Sequence, residues 1–281
     1  MIRALRPRAA LGFSLLGFLL VLGGCEFGAG SESPQAVDPG YTDNGWTPEL
    51  PVLPEGWPVL EWPHDNPYSS AKAVLGRRLF FENALSVDST VSCAVCHIPT
   101  AAFTTRGRTF SFGVTGKELD RNTPSLANVG FAKFLTFDGG FSSLEAQVLA
   151  PLFAKDEMGM TTEEIESRLA GDSMYVRLYR QAYGNAPIRI GGVSQALAAY
   201  LRIVVSYRSP WDRWKAGDST ALSAAARRGE AIFTGKKGNC AICHVPPLFT
   251  DGSFHNVGLD SVIHDIGRMR ITGLEADKGR F

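Results

Sequence analysis

The chain has 281 residues, enough for two domains of ordinary size. A hydrophobic content of 44% and a charged content of 20% are those of a soluble globular protein, and nothing argues for disorder outside the N-terminus. Lysine plus arginine equal aspartate plus glutamate at 28 each, so there is no basic excess to bind nucleic acid.

Arg3, Arg6 and Arg8 precede an apolar run, residues 11–22, that is too short to span a bilayer and has the form of a secretory signal. The run closes on Leu22-Gly23-Gly24-Cys25, which resembles the lipobox of bacterial lipoproteins. That resemblance implies a signal peptide over 1–24, acylation of Cys25, and a chain anchored to the membrane by lipid on its periplasmic side. Removing residues 1–24 takes three arginines and no acids, so the mature charge is 25 − 28 = −3. Residues 25–67 are rich in Gly, Pro and Ser and read as a tether leading into a strap. Trp46, Trp57 and Trp62 are expected to hold that strap against a globular body.

From Ser69 the pattern turns helical. Ser69 or Ser70 can cap a helix that sets Val74, Leu75, Leu79 and Phe80 on one face. Ser142-x-x-Glu145 and Thr161-x-x-Glu164 have the form of capping boxes. Further helices are predicted over 174–183, ended by Gly184, over 193–206, stopping near Pro210, and over 221–233. No two-residue alternation marks a strand. The fold should be all-α with long loops.

With Cys25 spent on lipid, two cysteine pairs remain. Cys93-Ala94-Val95-Cys96-His97 and Cys240-Ala241-Ile242-Cys243-His244 are both C-x-x-C-H, the signature of covalent haem attachment. Two thiols three positions apart on one helical turn can each add to a haem vinyl group. The adjacent histidine then faces the iron. A thioredoxin-like pair or half of a zinc site also uses C-x-x-C. Two copies in an exported chain, each after a helix ending in an aromatic residue (Phe80-Phe81, Ile232-Phe233), favour two covalently bound haem c groups.

Leu75-Gly76-Arg77-Arg78-Leu79-Phe80-Phe81, Leu85-Ser86 and the first haem motif resemble the first haem domain of bacterial di-haem cytochrome c peroxidases. The likeness continues through Arg121-Asn122-Thr123-Pro124-Ser125-Leu126, Asp138-Gly139, Glu145-Ala146-Gln147 and Asp156-Glu157-Met158. Trp211-Asp212-Arg213-Trp214, Arg228-Gly229, the second motif and Phe254-His255-Asn256-Val257-Gly258 extend it toward the C-terminus. The resemblance implies two cytochrome c-like haem domains, a peroxidatic one over 68–208 and an electron-transfer one over 209–281. It makes Gln147 and Glu157 the residues lining the peroxide pocket, with Glu157 as acid–base. It makes Asn122 a side-chain ligand of an inter-haem calcium, although an asparagine in such a turn is also a routine turn residue.

Three departures stand out. No histidine lies between His97 and His244, and Thr115 stands near where the family carries a distal histidine, so the first haem should be open. Phe137 replaces the family's inter-haem tryptophan and is harder to oxidise. The family continues past Phe281 with the second haem's sixth ligand, so the second domain is expected to be incomplete. Met269, His255 and His264 read as structural rather than as ligands, and His64 as structural or solvated. The expected activity is reduction of hydrogen peroxide to water with electrons from a small exported cytochrome c or cupredoxin. The rivals are a di-haem oxidase acting on side chains of a partner protein, and a lipid-anchored electron-transfer cytochrome without catalysis.

Overall fold

The structure is a computed structural model that describes residues 46–259 and 261–281. The signal segment, Cys25 and the first part of the tether lie outside the described residues. Helix α1 (Ser70–Phe80) opens where the Ser69 side chain accepts from the Lys72 amide, and it buries Leu75, Leu79 and Phe80. The two cysteines of the first motif bound the single turn α2 (Cys93–Cys96). Next come α3 (Leu144–Gln147), α4 (Leu149–Phe153), α5 (Thr162–Gly171), α6 (Ser173–Tyr183) and α7 (Ile190–Arg202). The last segments are α8 (Pro210–Lys215), α9 (Ala224–Thr234) and α10 (Met269–Thr272). Among the described residues there is no strand, only isolated bridges, so the fold is all-α as expected. No helix among them is long and apolar enough to cross a membrane.

The core forms where α1 meets α7. At Gly76 an added Cβ would lie 1.9 Å from the Ala196 carbonyl oxygen, so only glycine allows the two helices their close approach. Ala196 and Ala199, one turn apart and both fully buried, keep that side of α7 thin. Leu75, Leu79, Phe80, Leu152, Ile165 and Leu197 fill the centre, each worth about 1.5–3 kcal/mol of transfer free energy. Beyond Arg202 the buried residues among those described are Gly267 and Gly279. In the segment carrying the second motif the apolar contacts are aromatic, with Phe249 meeting Trp211 and Phe233 edge-on.

Several sequence expectations shift by a residue or more. The box at Thr161 and Glu164 forms with both reciprocal bonds. The one expected at Ser142 and Glu145 does not: Ser143 caps α3, and Glu145 turns inward to a bidentate pair with Arg202 at 2.6 and 2.9 Å. A buried guanidinium outcompetes a backbone amide for that carboxylate. Helix α7 ends at Arg202 rather than near residue 206, because Asn128 binds the following backbone in extended form. Its amide donates to the Val204 carbonyl at 2.9 Å and its side-chain oxygen accepts from the Ser206 amide at 2.8 Å. Helix α9 starts at Ala224, where Ser223 supplies the cap, rather than at 221.

The strap packs as expected. Trp57 meets Phe131 and Tyr207 edge-on, Trp62 meets Tyr68 and lies over Arg202, and Trp46 lies over Arg77. The fully buried Asn66 accepts from Lys72 Nζ at 3.0 Å and donates to Glu145 at 2.7 Å and to the Gln195 carbonyl at 3.0 Å, fastening the strap to α1, α3 and α7 together.

Candidate functional site

The chain turns sharply after α2, and that turn sets the first histidine. The His97 amide donates to the Cys93 carbonyl at 2.8 Å, closing the turn, and His97 Nδ1 stands 3.0 Å from the Phe103 carbonyl oxygen. A carbonyl can only accept, so the proton sits on Nδ1 and Nε2 keeps its lone pair for a metal. The second motif repeats the arrangement. His244 N donates to the Cys240 carbonyl at 2.9 Å, and His244 Nδ1 faces the Phe249 carbonyl at 3.1 Å. Phe103 (φ +58°) and Phe249 (φ +55°) both adopt the left-handed conformation that turns these carbonyls back to the imidazoles. The two phenylalanines were missed in the sequence. They were legible there, as His97-Ile98-Pro99 and His244-Val245-Pro246 each lead to a Phe-Thr pair.

All four cysteines of the motifs are unpaired. Burial pushes the Cys93 thiol up to about 12 and also raises Cys96, opposed there by the Ser111 hydroxyl. Burial likewise pushes the His97 imidazole below its ordinary range. Ser92, which opens α2, is 1% exposed, and its hydroxyl has no protein partner.

Glu157 stands close enough to Cys93 and Cys96 for its charge to act on both. It is half-buried, has no ion pair among the described residues, and burial raises its carboxyl above the ordinary carboxylate range. Gln147 ends α3, half-buried, with no hydrogen bond to Glu157 among the described residues. Asn122 is exposed, and its amide donates to the Thr109 carbonyl at 2.7 Å, which ties it into its own turn.

Phe137, 38% exposed, lies on the loop that joins the second segment to the first. Its neighbour Asp138 accepts from Arg121 at 2.7 Å, and Arg121 also grips Asp265 through two bonds of 2.9 Å. Arg268 lies over the rings of Phe134 and Phe254, 5.2 and 4.1 Å from their centroids, and donates to the Asp138 carbonyl. Asp265 and Arg268 carried no signal in the sequence, since their partners lie far away in the chain. His255 does close a loop: its Nε2 lies 2.8 Å from Asp251, and its backbone exchanges two bonds with Phe281. Cys243, Asp251 and His255 place their ligating atoms within 4.8 Å of one another.

The sequence profile described as di-haem cytochrome c peroxidase matches residues 70–220, more than half of the chain. The chain belongs to that family. It is similar to methylamine utilization protein MauG of Methylorubrum extorquens, with 42% identity over 73% of this chain and 58% of the relative. It is 38% identical to cytochrome-c peroxidase IdrP1 of Denitromonas iodatirespirans, over 72% of this chain and 54% of the relative. Among solved structures it resembles a MauG-like protein associated with microbial copper homeostasis, with a TM-score of 0.75, 35% identity, and coverage of 82% of this chain and 73% of the other. The chain thus spans little more than half the length of these two curated relatives.

The family is a di-haem one, and the residues present fit two haem c groups. Each motif offers a pair of reduced thiols and a histidine with Nε2 available. Around the second motif Ile242, Val245 and Phe249 stay exposed, an apolar surface of the kind a porphyrin face covers.

Proposed function

We propose that this chain reduces hydrogen peroxide to water at the first motif and draws electrons through the second. Cys93 and Cys96 would fasten one haem with His97 as iron ligand, and Cys240 and Cys243 another with His244. Iron bound there supplies a site for peroxide and the electrons for its cleavage. The observation that carries the reading is Glu157, a desolvated and unpaired carboxylate beside the first pair of thiols. Its raised affinity for protons suits it to take the proton from the inner peroxide oxygen and return it to the outer one as the O–O bond breaks. With two electrons and two protons, one peroxide yields two waters. Gln147 would orient the peroxide. The absence of any histidine between His97 and His244 favours an open site.

The donor in this reading is a small exported cytochrome c or cupredoxin, and the chain is held through acylated Cys25 at the periplasmic side of a membrane. Asn122 offers its side-chain oxygen to a calcium between the haems. Phe137, being hard to oxidise, would fill space between the haems rather than act as a redox relay.

Replacing Glu157 by Gln should slow peroxide cleavage by about 10²-fold or more, measured by rapid mixing. An unchanged rate removes Glu157 from the mechanism. A second reading, oxidation of side chains on a partner protein, is favoured by the 42% identity to a methylamine utilization protein. Steady turnover with peroxide and reduced cytochrome supports the peroxidase, and negligible turnover supports the alternative. Two low-spin ferric signals, with none high-spin, would leave only an electron carrier.

A further inference from the structure

Three stretches of backbone meet at Glu157 and fix where it stands. The Val114 amide donates to the Glu157 carbonyl and the Val87 amide to the Met158 carbonyl, both at 2.9 Å. Met158 and Met160, each 3% exposed, anchor the turn in the core. Gly159, with φ +69°, fits between Val87 and Val114, whose methyl carbons would lie 3.4 and 3.7 Å from any Cβ placed there.

The tightest approach is at Gly113. A Cβ on this residue would stand 1.9 Å from the Asp156 carbonyl oxygen, 2.6 Å from Glu157 Cα and 2.7 Å from the Glu157 carbonyl oxygen. All three are backbone atoms, which cannot rotate aside as the end of a side chain can. Gly113 is not among the residues with positive φ, so what its position demands is space and not a left-handed conformation. The loop cannot simply retreat. The Leu119 amide donates to the Ser111 carbonyl at 2.9 Å, Phe112 and Glu118 form a bridge, and the buried Ser111 hydroxyl bonds Thr123 at 2.6 Å.

We propose that Gly113 is a positioning residue: its missing side chain lets the 111–119 loop serve as the seat that holds Glu157 beside the first haem motif. This rests on the acid–base reading of Glu157. Thr115 lies on the same braced loop. Restoring ordinary contact of ~3.5 Å around a Cβ at 113 requires the two backbones to part by more than about 1 Å. A displacement of about 1 Å costs on the order of 10²-fold when the displaced group must meet a reacting atom.

The test uses the haem-loaded protein in four forms: native, Gly113→Ala, Glu157→Gln and the double variant. Peroxide cleavage is timed by rapid mixing, and fluoride affinity of the ferric first haem is followed against pH. Gly113→Ala should slow cleavage about 10²-fold alone but less than about threefold when Glu157 is already Gln, because both remove the same group from its place. The pH profile of fluoride affinity, flattened by Glu157→Gln, should also change in Gly113→Ala. If Glu157→Gln leaves the rate intact, the acid–base reading fails. If Glu157→Gln is slow while Gly113→Ala is not, or if the two losses multiply, the positioning inference is overturned. Should Gly113→Ala fail to take up haem, Val114→Ala keeps the space and removes the methyls over Gly159. It should slow cleavage about 3- to 10-fold with the same lack of additivity, and native behaviour overturns the inference.

Discussion

Replacing Arg202 by Met would test the network that joins the strap to the core. The Arg202 and Glu145 side chains are 6% and 17% exposed, and their contact is bidentate. Burial raises the Glu145 carboxyl, but bonds from Arg202 and Asn66 outweigh it and leave the carboxyl below its ordinary range. Methionine fills much of the arginine volume but donates nothing, so Glu145 keeps its desolvation and loses its main partner. Breaking a buried pair from one side costs roughly 3–5 kcal/mol. Because Glu145 retains Asn66 and some contact with solvent, a loss of about 3 kcal/mol at pH 7 is expected, or roughly 6–12 °C in thermal midpoint for a chain of this size. The sign of the pH dependence follows. In the native protein the folded carboxyl is depressed, so its contribution is present above the unfolded value and lost as pH falls through the folded one. In the variant the carboxyl is raised, and protonation relieves the cost. The gap between the two proteins should therefore narrow steadily from pH 7 toward pH 4, as read from urea unfolding of haem-loaded protein. A gap that stays constant with pH, or one below about 1 kcal/mol at pH 7, would refute the assignment of the buried charge.

Glu157→Gln should raise the thermal midpoint at pH 8, since a charged, desolvated carboxylate opposes folding above its raised folded value, and the gain should vanish below the ordinary carboxylate range. A midpoint independent of this substitution at every pH would mean that the carboxylate is solvated. Gly76→Ala should destabilise the protein by about 3 kcal/mol or more, because the added methyl meets the Ala196 carbonyl; native-like unfolding would show that α1 and α7 do not approach so closely. Thr161→Ala should cost about 1 kcal/mol through loss of the hydroxyl that accepts from the Glu164 amide, with no change in haem content. Replacing Cys240 and Cys243 together by Ser should leave one covalently held haem in denatured protein, measured by intact mass; two retained haems would contradict the attachment sites.

Some of this was legible in the chain itself. The two C-x-x-C-H motifs declare themselves because thioether chemistry needs neighbouring thiols and an adjacent ligand, and local spacing records all three. The cap at Ser69, the box at Thr161 and the stop at Gly184 were readable for the same reason: each bond joins residues only a few positions apart. Gln147 and Glu157 came from resemblance, since nothing local distinguishes a catalytic glutamate from a solvated one.

What only the tertiary structure decided are the long-range choices. Glu145 looked like a cap, but Arg202, brought beside it by the meeting of α3 and α7, claims the carboxylate. The end of α7 was set by Asn128, which binds the extended backbone after it. Glu157 is raised because packing removes water from it, and Gly113 matters because another backbone passes where a side chain would go. Local spacing encodes bonds between near neighbours, whereas desolvation and close approach arise only when distant segments meet.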